Sequence, residues 1–60
     1  MRADTNQYRA SHNKQPRGWG SWAFQVGNEV FWFTAHYSEA RRQAFDVART
    51  RGERVVEVLP

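Results

Sequence analysis

The residues of this chain that could do chemistry are few and scattered. His12 and His36 are its only imidazoles, and it has no cysteine. A zinc site draws three or four ligands from thiolates, imidazoles and carboxylates at short spacings, and the two histidines are not a pair at helical spacing, so no metal or cofactor is expected. Ser11, Ser21 and Ser38 lack the companion His and acid that would activate a nucleophile. The Gly18-Trp19-Gly20 step enters a strand rather than opening a helix, which excludes a phosphate loop. A protein that is not an enzyme is expected. What remains is recognition chemistry, concentrated in "GWGSWAFQVGNEVFWF", residues 18–33, with three tryptophans and three phenylalanines. A large ring stabilises a core when inside and anchors a partner when outside, so the elements that position these rings decide what they do.

Two apolar runs flank Gly27-Asn28, and glycine in the first turn position suits a two-residue type II′ hairpin. That turn sets Val26 opposite Glu29. Phe24 then faces Phe31, Trp22 faces Phe33 and Gly20 faces Ala35 on one side of the sheet. The other side receives Gln25 with Val30, Ala23 with Trp32, Ser21 with Thr34, and Trp19 with His36. A helix is predicted to follow, with Ser38 as N-cap, Glu39 near the positive end of the dipole, and Arg49 and Arg51 near the negative end before Gly52. Ala40, Ala44, Val47 and Ala48 recur at i, i+4, i+7 and i+8 as its buried stripe. Their small side chains allow close approach to a sheet face that already presents Trp22, Phe24, Phe31 and Phe33. In "ERVVEVLP" the alternation predicts a third strand with Val56 and Val58 inward. Glu57 points outward, because an unpaired carboxylate does not enter so small a core. The predicted fold is α+β: a two-layer ββαβ unit, its three-stranded antiparallel sheet in the order 2-1-3, with one helix packed on one face.

Sixty residues make one domain at most, and a chain of that size buries only about 60% of the surface its unfolded form exposes. Residues 1–17, rich in Asn, Gln, Ser, Arg and Ala with Tyr8 as the only large ring, are predicted to be a disordered basic arm preceding a domain over residues 18–60. The net charge of +3 lies wholly in that arm, where Arg2, Arg9, Lys14 and Arg17 stand against Asp4; five arginines balance five acids in the rest. No run of about 20 apolar residues and no apolar N-terminal stretch is present, so a soluble cytoplasmic protein is expected.

In this fold the helix covers Trp22 but not Trp19 or Trp32. Trp19, Val30, Trp32 and His36, with Arg17 at the rim and with Val55 and Leu59 as the outward apolar groups of the third strand, are therefore the candidate contact surface for a partner protein. Two other occupants compete for it: the arm, folded back with Tyr8 as a plug, and a second copy packed face to face. Nucleic acid is the alternative ligand, with bases stacked on Trp19 and Trp32 and with Arg2, Arg9, Lys14 and Arg17 on phosphates. The arginines of the helix are cancelled by its acids and read as a solvated face.

A polar arm, an aromatic hairpin, a helix opening on "SEARRQA" and a strand ending "VVEVLP" together resemble the phage T7-type inhibitors of host RNA polymerase. The matching residues are Glu39, Ala40, Ala44, Val56, Val58 and Pro60, within roughly residues 22–60. The resemblance implies a ββαβ fold and a compact phage-encoded inhibitor, similar in kind to several anti-CRISPR proteins. Such a protein occupies a surface of host RNA polymerase or of a defence complex in the host cytoplasm. Glu57 and Leu59 stand where that family carries arginines, so no functional residue is carried over. "FTAHYSEA" also resembles the helix start of the arm-DNA-binding domain of phage-type tyrosine recombinases, which implies DNA contact through the sheet.

Overall fold

The computed structural model describes all 60 residues. Along the chain they form β1 (Arg2–Asp4), α1 (Asn6–His12), β2 (Trp19–Val26), β3 (Glu29–His36), α2 (Tyr37–Thr50) and β4 (Val55–Val58). The strands make one sheet in the order β1-β4-β2-β3. β2 runs antiparallel to both of its neighbours, and β1 runs parallel to β4.

The hairpin follows from its turn. Gly27 takes φ +58° while Asn28 keeps a negative φ, the pattern of a type II′ turn. From there the ladder runs without a bulge from Val26 opposite Glu29 to Trp19 opposite His36, which is the predicted register. One face of this ladder meets α2. Ala40, Ala44 and Ala48 are fully buried against a core that includes Trp22, Phe24, Val26, Val56 and Val58, with Phe31, Phe33 and Val47 packed around it. Phe24, Val56 and Val58 are completely enclosed, and each stabilises the fold by roughly 1.5–3 kcal/mol. α2 ends as its sequence requires: Gly52, at φ +73°, donates to the Arg49 carbonyl at 3.3 Å, and Glu53 donates to the Ala48 carbonyl at 2.9 Å. Its start differs from the prediction. The helix begins at Tyr37 with His36 as N-cap and no side-chain cap, so Ser38 does not cap it. A tertiary contact substitutes: the Tyr37 N–H donates to the Gly18 carbonyl at 2.8 Å, and the Tyr37 ring packs on Trp22 and Phe24.

The larger correction concerns the N-terminal segment. Residues 1–17 are not a disordered arm, because β1 adds a strand to the outer side of β4 and α1 follows it. The sheet is therefore four-stranded and mixed rather than three-stranded and antiparallel, and there are two helices rather than one. The outer backbone of β4 would otherwise lack partners, and β1 supplies them, helped by an Arg2 N–H to Arg54 carbonyl bond of 3.1 Å. Asp4 then turns the chain by accepting from the Asn6 N–H at 2.9 Å, and Asn13 ends α1 at φ +58°. Tyr8 is only 9% exposed and belongs to the same core as Trp22. The core thus runs through the boundary expected at residue 17. No helix is long and apolar enough to cross a membrane.

A candidate binding surface of tryptophans and cations

With α2 on one face, the other face of the hairpin carries four cross-strand pairs in sequence: Gln25–Val30, Ala23–Trp32, Ser21–Thr34 and Trp19–His36. Trp19 is 68% exposed, Trp32 67% and Val30 48%. The Trp19 ring stands edge-on to His36, with centroids 5.5 Å apart. Between the two tryptophans the Ser21 and Thr34 hydroxyls share a hydrogen bond of 3.0 Å, so the surface alternates ring, hydroxyl pair, ring along the strands.

α1 borders this surface without covering it. Its Tyr8 ring packs on Trp22 at 5.6 Å and stacks on His12 at 4.1 Å, while Gln7 donates to the Glu57 carboxylate at 2.7 Å. The N-terminal segment folds back with Tyr8 as a plug, but not over the tryptophans as one competing expectation had it. The plug fills the space beside Trp22 and leaves Trp19 and Trp32 in solvent. β4 stops short here as well. After the Leu59 N–H to Ala23 carbonyl bond of 2.9 Å no strand continues alongside the first residues of β2. The result is an open cleft of about 420 Å³ that joins Tyr8, His12, Lys14 and Arg17 to Trp19, Trp32 and Leu59.

Of the residues expected at a protein contact, Trp19, Trp32 and Arg17 line the cleft. His36 touches it through Trp19, and Val30 lies farther along the same face beside Gln25. The four cations expected to meet phosphates separate into two groups. Lys14 and Arg17 line the cleft, whereas Arg9 is held within α1 by Thr5 and Asn6, and Arg2 sits on β1 at 3.9 Å from Asp4. No acid is among the residues that line the cleft. Elsewhere on the sheet Glu57 accepts from Gln7, and Glu29 pairs with Arg51, whose guanidinium also lies over the Phe31 ring. Tyr8 and His12 enlarge the site beyond the expected set, and Leu59 joins it from the end of β4 as its outward position allowed. The spacing of Tyr8 and His12, one helical turn apart, was the signal for the first two.

A separate set of charges serves α2. Arg42 and Arg49 bracket Glu39 and Asp46 on its solvent side. The hydrogen bond from Arg42 holds the Glu39 carboxyl below its ordinary value. No three His, Asp or Glu side chains converge anywhere in the molecule. Comparison with protein families, curated proteins and solved structures finds no match for this chain.

Proposed function

We propose that this protein is a non-catalytic binding module whose working surface is the uncovered sheet face around Trp19 and Trp32, and that it docks a partner protein there. The observation that carries this reading is the two-thirds exposure of both tryptophans on the part of that face which α1 borders and leaves uncovered. Two large exposed rings are costly to solubility unless something occupies them, and tryptophan is among the residues most favoured as an interface anchor. Lys14 and Arg17 at one end, in a cleft lined by no Asp or Glu side chain, suit a partner segment that combines apolar and acidic side chains. A phage-encoded inhibitor of host RNA polymerase or of a defence complex is the setting that the sequence resemblance suggests. The added β1 and α1 depart from the ββαβ plan that it implies, so the proposal rests on the surface.

A second reading is favoured by one specific observation, the presence of Lys14 and Arg17 in the same cleft as the two tryptophans. Stacking rings beside cations also suit single-stranded nucleic acid. Salt separates the two: binding through phosphates weakens steeply between low and moderate salt, and an aromatic-anchored protein contact changes little. The experiment is capture from bacterial lysate at moderate salt, with and without nuclease treatment, comparing wild type with Trp32→Ala. A discrete protein retained by wild type and lost with Trp32→Ala is the expected result. Recovery only of nuclease-sensitive material would overturn the proposal, whether or not Trp32→Ala retains it.

A further inference from the structure

The two outer edges of the sheet are built differently. β1 is three residues long and carries Arg2 and Asp4, and a short charged strand is a common device by which a sheet avoids pairing with its neighbours. β3, on the opposite edge, has no such device. It is eight residues long, contains no Lys, Arg or Pro, keeps an unbroken register with β2, and bears its only acid, Glu29, at its first position. Backbone direction along the hairpin is fixed by two bonds: Ala23 accepts from Leu59 on the β4 side, and Gly18 accepts from Tyr37 on the β3 side. Peptide groups alternate in direction along a strand. Phe31, Phe33 and Ala35 therefore face β2, while the N–H and C=O groups of Val30, Trp32 and Thr34 point away from the sheet with no strand beyond them.

We propose that two copies of this chain pair antiparallel through β3, about a twofold axis beside Phe33, to give one continuous sheet. In that register Trp32 stands opposite the partner's Thr34, Val30 opposite the partner's His36, and the two Phe33 side chains meet on the α2 side. Residues directly opposite in an antiparallel pair share a face, so both α2 helices lie on one side and both tryptophan faces on the other. The occupant is a second copy because the edge is complementary to itself. The paired segment Val30–His36 contains no acid and no Lys or Arg, so no like charges oppose, and the half-buried Phe31 and Phe33 gain cover. The guarded β1 edge makes the assembly closed: one open edge per copy stops the pairing at two. This inference does not depend on what the tryptophan face binds.

Amide hydrogen exchange and sedimentation velocity on the whole protein, each over a range of concentration, test it. The expected result is a dimer that dissociates on dilution. The Trp32 and Thr34 amides exchange slowly when concentrated and fast when dilute, while the Phe31 and Phe33 amides, which face β2, are slow at both. Thr34→Pro removes an outward N–H that the single copy does not use, a substitution that edge strands tolerate, and is expected to stay folded and monomeric. A wild type that is monomeric at every concentration overturns the proposal. So does a dimer whose Trp32 and Thr34 amides remain fast, because its contact then lies elsewhere, as in face-to-face packing. A folded Thr34→Pro dimer also overturns it. Should Thr34→Pro fail to fold, the exchange pattern of the wild type decides.

Discussion

Trp22 and Trp32 sit on neighbouring strands of one hairpin and have opposite fates. Trp22 is 7% exposed and its indole N–H donates to the Ala35 carbonyl at 3.1 Å, so Trp22→Ala both empties a ring-sized space and removes that hydrogen bond. We expect a loss of about 3–5 kcal/mol, enough to unfold much of a domain this small. Trp32→Ala should shift the urea midpoint by no more than about 0.5 kcal/mol equivalent, because its ring is mostly in solvent. Equal losses in the two variants would show that the faces are not distinct. This separation was legible in the sequence because a two-residue turn fixes register and the period of two does the rest; Trp22 at an even position had to join Phe24, and Trp32 had to lie with Ala23. Tyr37 adds an alkaline prediction. Burial raises its phenol above the ordinary value, outweighing the Arg41 guanidinium that lowers it. The unfolded chain then ionises first, near pH about 10. The contribution of Tyr37 is complete below that pH and is lost as pH rises towards the folded value. Tyr37→Phe should therefore flatten the alkaline fall in urea midpoint relative to wild type; parallel curves would refute the assignment.

The elements divide by whether they carry their own signal. The hairpin does, in Gly27. Gly27→Ala is expected to cost about 1–2 kcal/mol because an L-residue resists φ near +58°. A new Cβ would also lie 3.1 Å from a Glu53 carboxylate oxygen, but that is the end of a flexible side chain and moves at little cost. Gly27→Ala should therefore lose the same stability in a Glu53→Ala background, as denaturation of the two pairs would show. α2 was equally readable, from its alanine stripe and Gly52. Its first residue was not, because Tyr37 is fixed by Gly18 and Trp22, distant in sequence, rather than by a local cap. α1 and β1 could not be read locally at all. A helix of seven residues is below the length that forms unaided in water, and a strand of three has no measurable alternation. Both exist because β4 has an unpaired edge and Trp22 an uncovered flank. Tyr8→Ala, which removes the one ring that holds α1 in place, should cost about 3 kcal/mol and release α1 to fast amide exchange.

At the scale of the whole molecule, the N-terminal segment is both a structural member and the source of the net charge. Its Lys14 and Arg17 reach the tryptophan cleft because the chain must return from α1 to the start of β2, and Pro16, buried on the way, fixes that path. The candidate site is consequently a product of the fold: the tryptophans and Arg17 at their rim could be placed from the hairpin alone, whereas Tyr8, His12 and Lys14 beside them depended on an element that the sequence does not announce. The same segment guards the sheet. Deleting residues 1–13 removes β1 and the Tyr8 plug, exposes the Trp22 flank, and leaves the outer edge of β4 as open as that of β3. A chain with two open edges can pair on both sides, and head-to-tail pairing does not close. The truncated protein is therefore expected to show a lower urea midpoint and a light-scattering signal that grows with concentration, while the full chain stops at small species. Unchanged stability and scattering on truncation would mean that residues 1–13 are a dispensable arm after all, and that the contrast between the two edges does not govern how this protein associates.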